Sequence, residues 1–167
     1  MTRKPKIGVS RCLLGDTVRY DGQSKPCTAI QKLTTRFELI PICPEVEAGL
    51  SIPRPPVQLC GSIEHPRLIG RDDTSVDITD LMQHYCQTKI PGLNKFSGFI
   101  LKSRSPSCGL HSAPVFINGQ RVTETSSGVF ARALQAAYPN LAMIEETQLE
   151  SVNLLNEFIQ LILTNKN

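Results

Sequence analysis

The chain has 167 residues, of which 40% are hydrophobic and 20% charged, a composition that excludes a disordered or fibrous protein. Its 18 Lys and Arg against 15 Asp and Glu leave a net charge of +3, an excess spread along the chain that does not indicate nucleic-acid binding. No apolar run reaches the roughly 18 residues of a membrane span, and the basic start precedes too short an apolar stretch for a secretion signal, so we expect a cytoplasmic protein without membrane contact.

Two short apolar runs separated by a helical pattern begin the chain. Residues 6–10 predict a buried strand, and residues 38–42 predict a second one, although Pro41 is unfavourable in a central strand. Between the two runs, Thr28 is a suitable cap for a short helix that ends at Phe37.

Prolines and glycines interrupt the middle of the chain. They predict a loop from Pro44 to Pro56 and a turn region around Pro66 and Gly70. After Asp77, a suitable cap, apolar residues recur at the spacing of an amphipathic helix, at Ile78, Leu81, Met82 and Tyr85.

The second half of the chain continues this alternation. Residues 96–102 give the clearest strand, and Asn118-Gly119 between two apolar runs predicts a β-hairpin. Ser126 or Ser127 can cap the next helix, and residues 141–144 predict a further strand. A terminal helix has an apolar stripe of Leu154, Leu155, Phe158, Leu161 and Ile162.

Strands that alternate with helices predict an α/β fold. We expect a single domain over residues 1–167, with a mostly parallel, Rossmann-like sheet, helices on both faces and a small β-hairpin.

Six cysteines are the unusual feature of the composition. A disulfide framework is not expected in the cytoplasm, because thiols stay reduced there. No C-x-x-C spacing occurs, so the familiar zinc and thioredoxin patterns are absent. Buried thiols, a metal or cluster site and a reactive thiol remain as interpretations.

Three of these cysteines follow predicted strands. Cys12 and Cys43 come within two residues of a strand end, and Cys108 lies in the loop after the third strand. Ligands of parallel sheets bind at the carboxyl ends of the strands, so the three thiols can converge there. Thiolates suit zinc or iron–sulfur clusters, and three cysteines would leave one iron of a four-iron cluster open for catalysis. Cys27, Cys60 and Cys86 lie in a loop or a helix, where packing is their simplest role.

Polar residues accompany the three thiols. Glu45 lies two residues from Cys43 and can activate water, and Ser105 lies near Cys108 and can transfer a proton. The same loops contain Ser107, Glu47 and Asp21, for which a turn or a solvated charge is the alternative interpretation. His111, three residues after Cys108, is the one histidine placed to be a fourth ligand, and a hydrogen-bonded surface histidine is its alternative.

Three longer stretches surround the three cysteines, namely Val9-Ser10-Arg11-Cys12-Leu13-Leu14-Gly15 with Val18-Arg19-Tyr20-Asp21-Gly22, Cys43-Pro44-Glu45-Val46-Glu47-Ala48-Gly49-Leu50 with Ile52-Pro53-Arg54, and Gly98-Phe99-Ile100-Leu101-Lys102 with Ser105-Pro106-Ser107-Cys108-Gly109. Together these stretches resemble a bacterial family of formerly unknown function that includes the 2-thiouracil desulfurases. Arg11, and the run Gln23-Ser24-Lys25, depart from the residues usual in the family.

The resemblance implies a [4Fe-4S] cluster held by Cys12, Cys43 and Cys108, with one iron not ligated by protein. It implies that sulfur is removed from a thiolated pyrimidine such as 2-thiouracil, with water as the source of the new oxygen and no net redox change. Glu45 and Ser105 match the family's functional glutamate and serine. Asp21, Ser107 and Glu47 are candidates for substrate binding. The expected partner is a small thiolated base, and we expect a monomer or homodimer with an unidentified sulfur acceptor.

Two other functions compete with desulfuration. One is a non-catalytic iron–sulfur or metal-binding module that senses iron or redox state or docks a partner. The other is a metal-free protein with Cys12 or Cys108 as a nucleophilic thiol.

Overall fold

The computed structural model describes residues 3–165, and eight strands form its two sheets. Each predicted strand is present, and two short ones were not predicted. The strands are β1 (Lys6–Ser10), β2 (Glu38–Ile42), β3 (Val57–Cys60), β4 (Arg67–Gly70), β5 (Gly98–Leu101), β6 (Ala113–Ile117), β7 (Gln120–Ser126) and β8 (Ala142–Glu145).

The first sheet is wholly parallel, in the order β2-β1-β5-β8, which confirms the predicted Rossmann-like sheet. Its register pairs Ser10 with Ile42, so β1 and β2 end side by side. β2 lies at an edge of the sheet, which explains how Pro41 is accommodated, since an edge strand has one side without ladder hydrogen bonds. The carboxyl ends of β1, β2 and β5 therefore open at one edge of the molecule.

The second sheet is mixed, in the order β4-β3-β6-β7. The predicted hairpin joins β6 to β7 through Asn118 and Gly119, which both have positive φ, as a tight hairpin turn requires. The turn region predicted around Pro66 and Gly70 is wrong, because residues 67–70 form β4 and pair with β3. Cys60 accordingly lies on a strand and not in a loop.

Within residues 3–165, five α-helices accompany the sheets, and short 3-10 turns follow β1, α1, α3 and β8. The helices are α1 (Thr28–Gln31), α2 (Pro44–Glu47), α3 (Thr79–Lys89), α4 (Val129–Ala137) and α5 (Val152–Thr164). Within the described residues no helix is long and apolar enough to cross a membrane.

Several details of the helices differ from the predictions. The loop expected from Pro44 begins with the single turn of α2. Gly128, and not a serine, precedes α4 as its cap. In α5 the buried residues are Phe158, Ile159 and Ile162, whereas two leucines of the expected stripe are exposed, because only one side of this helix packs on the sheet.

Two hydrophobic clusters cover the two faces of the parallel sheet. Phe99 and Leu101 of β5 pack into the cluster formed with α3, α4 and the second sheet. Ile100, which points the opposite way, packs into the cluster formed with α1 and α5. Helices thus lie on both faces, as predicted, and the strand ends are left open for a site.

Candidate functional site

The structure brings the three predicted cysteine ligands to one cavity of about 460 Å³ at the carboxyl ends of the parallel strands. Cys12 lies in the 3-10 turn that follows β1, and Cys43 directly precedes α2 as its cap. Cys108 lies in the segment between β5 and β6 and is 6% exposed. All three are free thiols.

Burial dominates the electrostatics of these thiols. It raises the pKa of Cys12 to about 11, against a lowering by Arg19 and Lys102. It also raises the pKa of Cys43 and Cys108, and for Cys108 the neighbouring Cys43 and Cys12 add to the increase. Without a metal, the three groups are neutral thiols at neutral pH. This environment disfavours a nucleophilic cysteine, since the thiolate is the reactive form.

The donor set fits a polynuclear iron–sulfur centre. A cluster takes thiolates at separate iron atoms, and its ligands are therefore spread around a cavity. Within residues 3–165 no three His, Cys, Asp or Glu side chains are grouped as ligands of one metal ion. Basic residues also line the cavity, which suits the negative charge of three thiolates, namely Arg11, Arg19, Lys25, Arg54, Arg71, Lys102 and Arg104.

Glu45 is the carboxylate of this cavity, and both of its oxygens are held. The Arg54 Nε donates to Glu45 Oε2 over 2.7 Å, and the Ser107 hydroxyl donates to Glu45 Oε1 over 2.7 Å. Pro44 begins α2 and directs the chain so that Glu45 falls in the first helical turn, where a negative charge is favourable. The carboxylate is therefore fixed in orientation beside the three thiols.

Ser105 and Ser107, just before Cys108 in the sequence, have different roles. Ser105 Oγ accepts hydrogen bonds from the backbone N–H groups of Ser107 and Cys108, at 3.2 and 3.0 Å. Ser105 thereby shapes the turn that presents Cys108, and its own hydroxyl proton remains available to the cavity. Ser107 is buried and faces Glu45.

Two of the residues predicted for substrate binding do not line the cavity. Glu47 Oε2 accepts from the Tyr85 hydroxyl at 2.9 Å and from Lys89 Nζ at 2.6 Å, so its carboxylate connects α2 to α3. Asp21 accepts from the backbone N–H of Gln23 at 3.0 Å, as its alternative interpretation as a turn residue predicted.

Sequence reasoning overlooked the arginines of the cavity. Arg54 follows Ile52-Pro53 in the second stretch that resembles the family, and its side chain is 6% exposed. Arg19 and Arg71 each lie over the Tyr20 ring, with the guanidinium carbon 5.6 and 5.9 Å from the ring centroid. The sequence signal that could have identified these arginines is the occurrence of basic residues near the three cysteines.

His111 does not belong to the cavity. Its ring nitrogens contact the Ser127 hydroxyl at 3.2 Å and the Gln135 amide at 3.1 Å. A second cavity of about 570 Å³ between α3 and α4 contains Cys86 but none of the predicted site residues. Cys27 and Cys60 do not line the thiol cavity either.

Comparisons with known proteins agree with the sequence motifs. The 2-thiouracil desulfurase family matches residues 7–146. An uncharacterised protein of Bacillus subtilis strain 168, YbbK, is 31% identical over 156 residues, which cover 87% of this chain and 99% of the relative. The solved structure of the [4Fe-4S]-dependent thiouracil desulfidase TudS is similar with a TM-score of 0.71 and 29% identity, over 92% of this chain and 99% of that one. The protein therefore belongs to the 2-thiouracil desulfurase family.

Proposed function

We propose that the protein is an iron–sulfur-dependent desulfurase that removes sulfur from the thiocarbonyl of a thiolated pyrimidine such as 2-thiouracil. The products are the oxo-pyrimidine and sulfide. The observation that carries this proposal is the meeting of three free thiols with Glu45 and Ser105 in one cavity. The family match and the [4Fe-4S] dependence of TudS support it.

Cys12, Cys43 and Cys108 would hold a [4Fe-4S] cluster in this cavity. When bound by three cysteines only, such a cluster supplies one iron with a free position, a soft Lewis acid that prefers the sulfur of a thiocarbonyl to a carbonyl oxygen. Arg19 and Lys102 oppose part of the rise that burial gives the pKa of Cys12, and so favour the thiolate form that ligation needs.

Glu45 would act as the general base. Its carboxylate is held by Arg54 and Ser107, and each oxygen keeps a lone pair that can accept a proton from water. The oxygen of this water forms a bond to the ring carbon, and the carbon–sulfur bond breaks with its electron pair leaving on sulfur. Thiocarbonyl and water become carbonyl and hydrogen sulfide, so no electron donor or acceptor is needed.

Ser105 would orient the substrate. Its oxygen already accepts two backbone hydrogen bonds, so its O–H can donate to a ring nitrogen or to the thiocarbonyl. The turn that fixes Ser105 also fixes Cys108, which keeps the donor and the third thiol at a constant separation.

The test is anaerobic purification followed by iron and sulfide analysis and an assay on 2-thiouracil. We expect about four irons and four sulfides per chain, and formation of uracil with one sulfide per turnover. A loaded cluster without turnover on any thiolated pyrimidine would contradict the proposed reaction and favour a sensing or docking module. Protein that turns over without iron would favour the nucleophilic thiol.

Serine variants of single cysteines test the ligand set. Cys12→Ser, Cys43→Ser and Cys108→Ser are each expected to lose the cluster, because a hydroxyl is a poor ligand for iron in these centres. Cys60→Ser, on β3 and outside the cavity, is the matched control and should retain the iron of the wild type.

A further inference from the structure

Two adjacent carboxylates at the end of β8 hold the segment that carries Cys108. Glu146 Oε2 accepts from the backbone N–H of Ser103 at 2.7 Å, and Glu146 Oε1 accepts from the Ser103 hydroxyl at 2.8 Å. The Lys102 ammonium also donates to Glu146. Glu146 therefore fixes the start of the segment, at residues 102 and 103.

Glu145 holds the other end of the same segment. Its Oε1 accepts from the backbone N–H of Leu110 at 2.7 Å and from the Ser112 hydroxyl. Ser112 Oγ in turn accepts from the backbone N–H of Arg104 at 2.8 Å, which connects the two ends of the segment. Glu145 is 7% exposed, and its side chain also accepts from the backbone N–H of Gln148. The desolvation cost of this buried carboxylate is therefore offset by hydrogen bonds from Leu110, Ser112 and Gln148.

The backbone of the segment needs such support. Arg104 and His111 both have positive φ, 60° and 59°, and neither is glycine. A positive φ is unfavourable for a residue with a side chain, and it persists only where the surroundings enforce it. The two strained residues lie beside the two points that the carboxylates hold, with Ser105, Ser107 and Cys108 between them.

We propose that Glu145 and Glu146 are positioning residues for Cys108, and that retention of the cluster depends on them. This inference rests on the proposed function, because it takes Cys108 to be a cluster ligand. A carboxylate accepts hydrogen bonds at both oxygens. The groups that surround Glu145 and Glu146 are donors, namely backbone N–H, hydroxyl and ammonium groups. Glutamine in their place presents an NH₂ group to one of these donors. The segment is then free to move Cys108 away from Cys12 and Cys43.

The test compares E145Q and E146Q with the matched control E150Q, which removes one charge from an exposed position four or five residues away. Cluster-loaded proteins are challenged anaerobically with an iron chelator, and loss of the cluster absorbance is followed. We expect E145Q and E146Q to lose the cluster about tenfold faster than the wild type. E150Q should lose it at the wild-type rate.

A second measurement uses the cluster-free proteins and does not depend on turnover. Alkylation by iodoacetamide is quantified for each cysteine by peptide mass spectrometry. We expect the rate at Cys108 to rise about tenfold in E145Q and E146Q, while the rate at Cys86, also buried, stays unchanged.

The outcomes separate the two proposals. Equal cluster loss in the wild type and both variants, or an equal rise at Cys86 and Cys108, overturns the positioning role and leaves the proposed function intact. A wild type that takes up no iron overturns both.

Discussion

The Arg54 guanidinium forms a buried ion pair with Glu45, with Nε 2.7 Å from Oε2 and both side chains less than one-sixth exposed. Arg54 Nη1 also donates to the backbone carbonyls of Val18 at 3.0 Å and Ser51 at 3.2 Å. The guanidinium thus connects the segment after β1 to the segment after α2. It orients the carboxylate toward the cavity instead of allowing it to rotate into solvent.

Replacement of Arg54 should impair catalysis more than cluster binding. Arg54→Lys keeps the positive charge but cannot reach the carboxylate and the carbonyls together, because ammonium lacks the planar fork of guanidinium. We expect kcat for 2-thiouracil to fall about tenfold or more, with iron content unchanged. Arg67→Lys, at an exposed ion pair with Asp77, is the control and should leave kcat at the wild-type value. Equal kcat for both variants would contradict the role of Arg54.

Ser107→Ala removes the second partner of Glu45. Ser107 is 2% exposed, so water cannot replace its hydroxyl without rearrangement. Leaving the Glu45 Oε1 without its donor should cost about 1–3 kcal/mol of unfolding free energy, measured by urea denaturation of the cluster-free protein. Turnover should fall as well, because the carboxylate loses its fixed orientation. A variant with wild-type stability and kcat would show that this hydrogen bond neither stabilises the fold nor contributes to turnover.

Glu47 should behave as a structural residue although it lies only two residues after Glu45. Its side-chain partners are Tyr85 and Lys89 on α3, and its Oε1 also accepts from the backbone N–H of Cys43 at 3.3 Å. Burial and the hydrogen bond to Glu47 raise the pKa of Tyr85, so the phenol remains a donor at neutral pH. Tyr85→Phe removes this hydrogen bond and is expected to lower the unfolding free energy by about 1 kcal/mol. Turnover per loaded cluster should not change. A fall in kcat without loss of stability would return Glu47 to the catalytic site.

The stability of the cluster-free protein should depend on the protonation of Cys86. Burial raises the pKa of this thiol from 9.0 to about 11. The folded state thus holds the proton more tightly, and this stabilisation is complete below about pH 9 and disappears as the pH rises through about 11. Two pKa units correspond to at most about 3 kcal/mol.

Urea denaturation in the presence of a reductant can measure this effect. Between about pH 8 and 11 the unfolding free energy of the wild type should fall more steeply than that of Cys86→Ala, which has no proton to lose. Identical slopes would show that this thiol does not titrate differently in the folded and unfolded states.

Local patterns in the sequence were sufficient to locate most of the secondary structure. The runs at 6–10 and 96–102 are short and centred on β-branched or aromatic residues, which is typical of a buried strand, and Asn118-Gly119 permits a tight turn at little cost. β3 and β4 were missed because each has only four residues and is bounded by prolines and glycines. Their pairing is non-local, and so no short window of sequence reveals it.

The sequence by itself determined which thiols can meet, because parallel strands bring their carboxyl ends to one edge and Cys12, Cys43 and Cys108 follow three such ends. Only the tertiary structure decided what each carboxylate does. Glu45 and Glu47 lie on the same turn, yet one faces Arg54 and the cavity and the other faces Tyr85. Glu145 and Glu146, far along the chain, hold the Cys108 segment. Such pairings depend on where distant loops pass one another, which residue order alone does not specify.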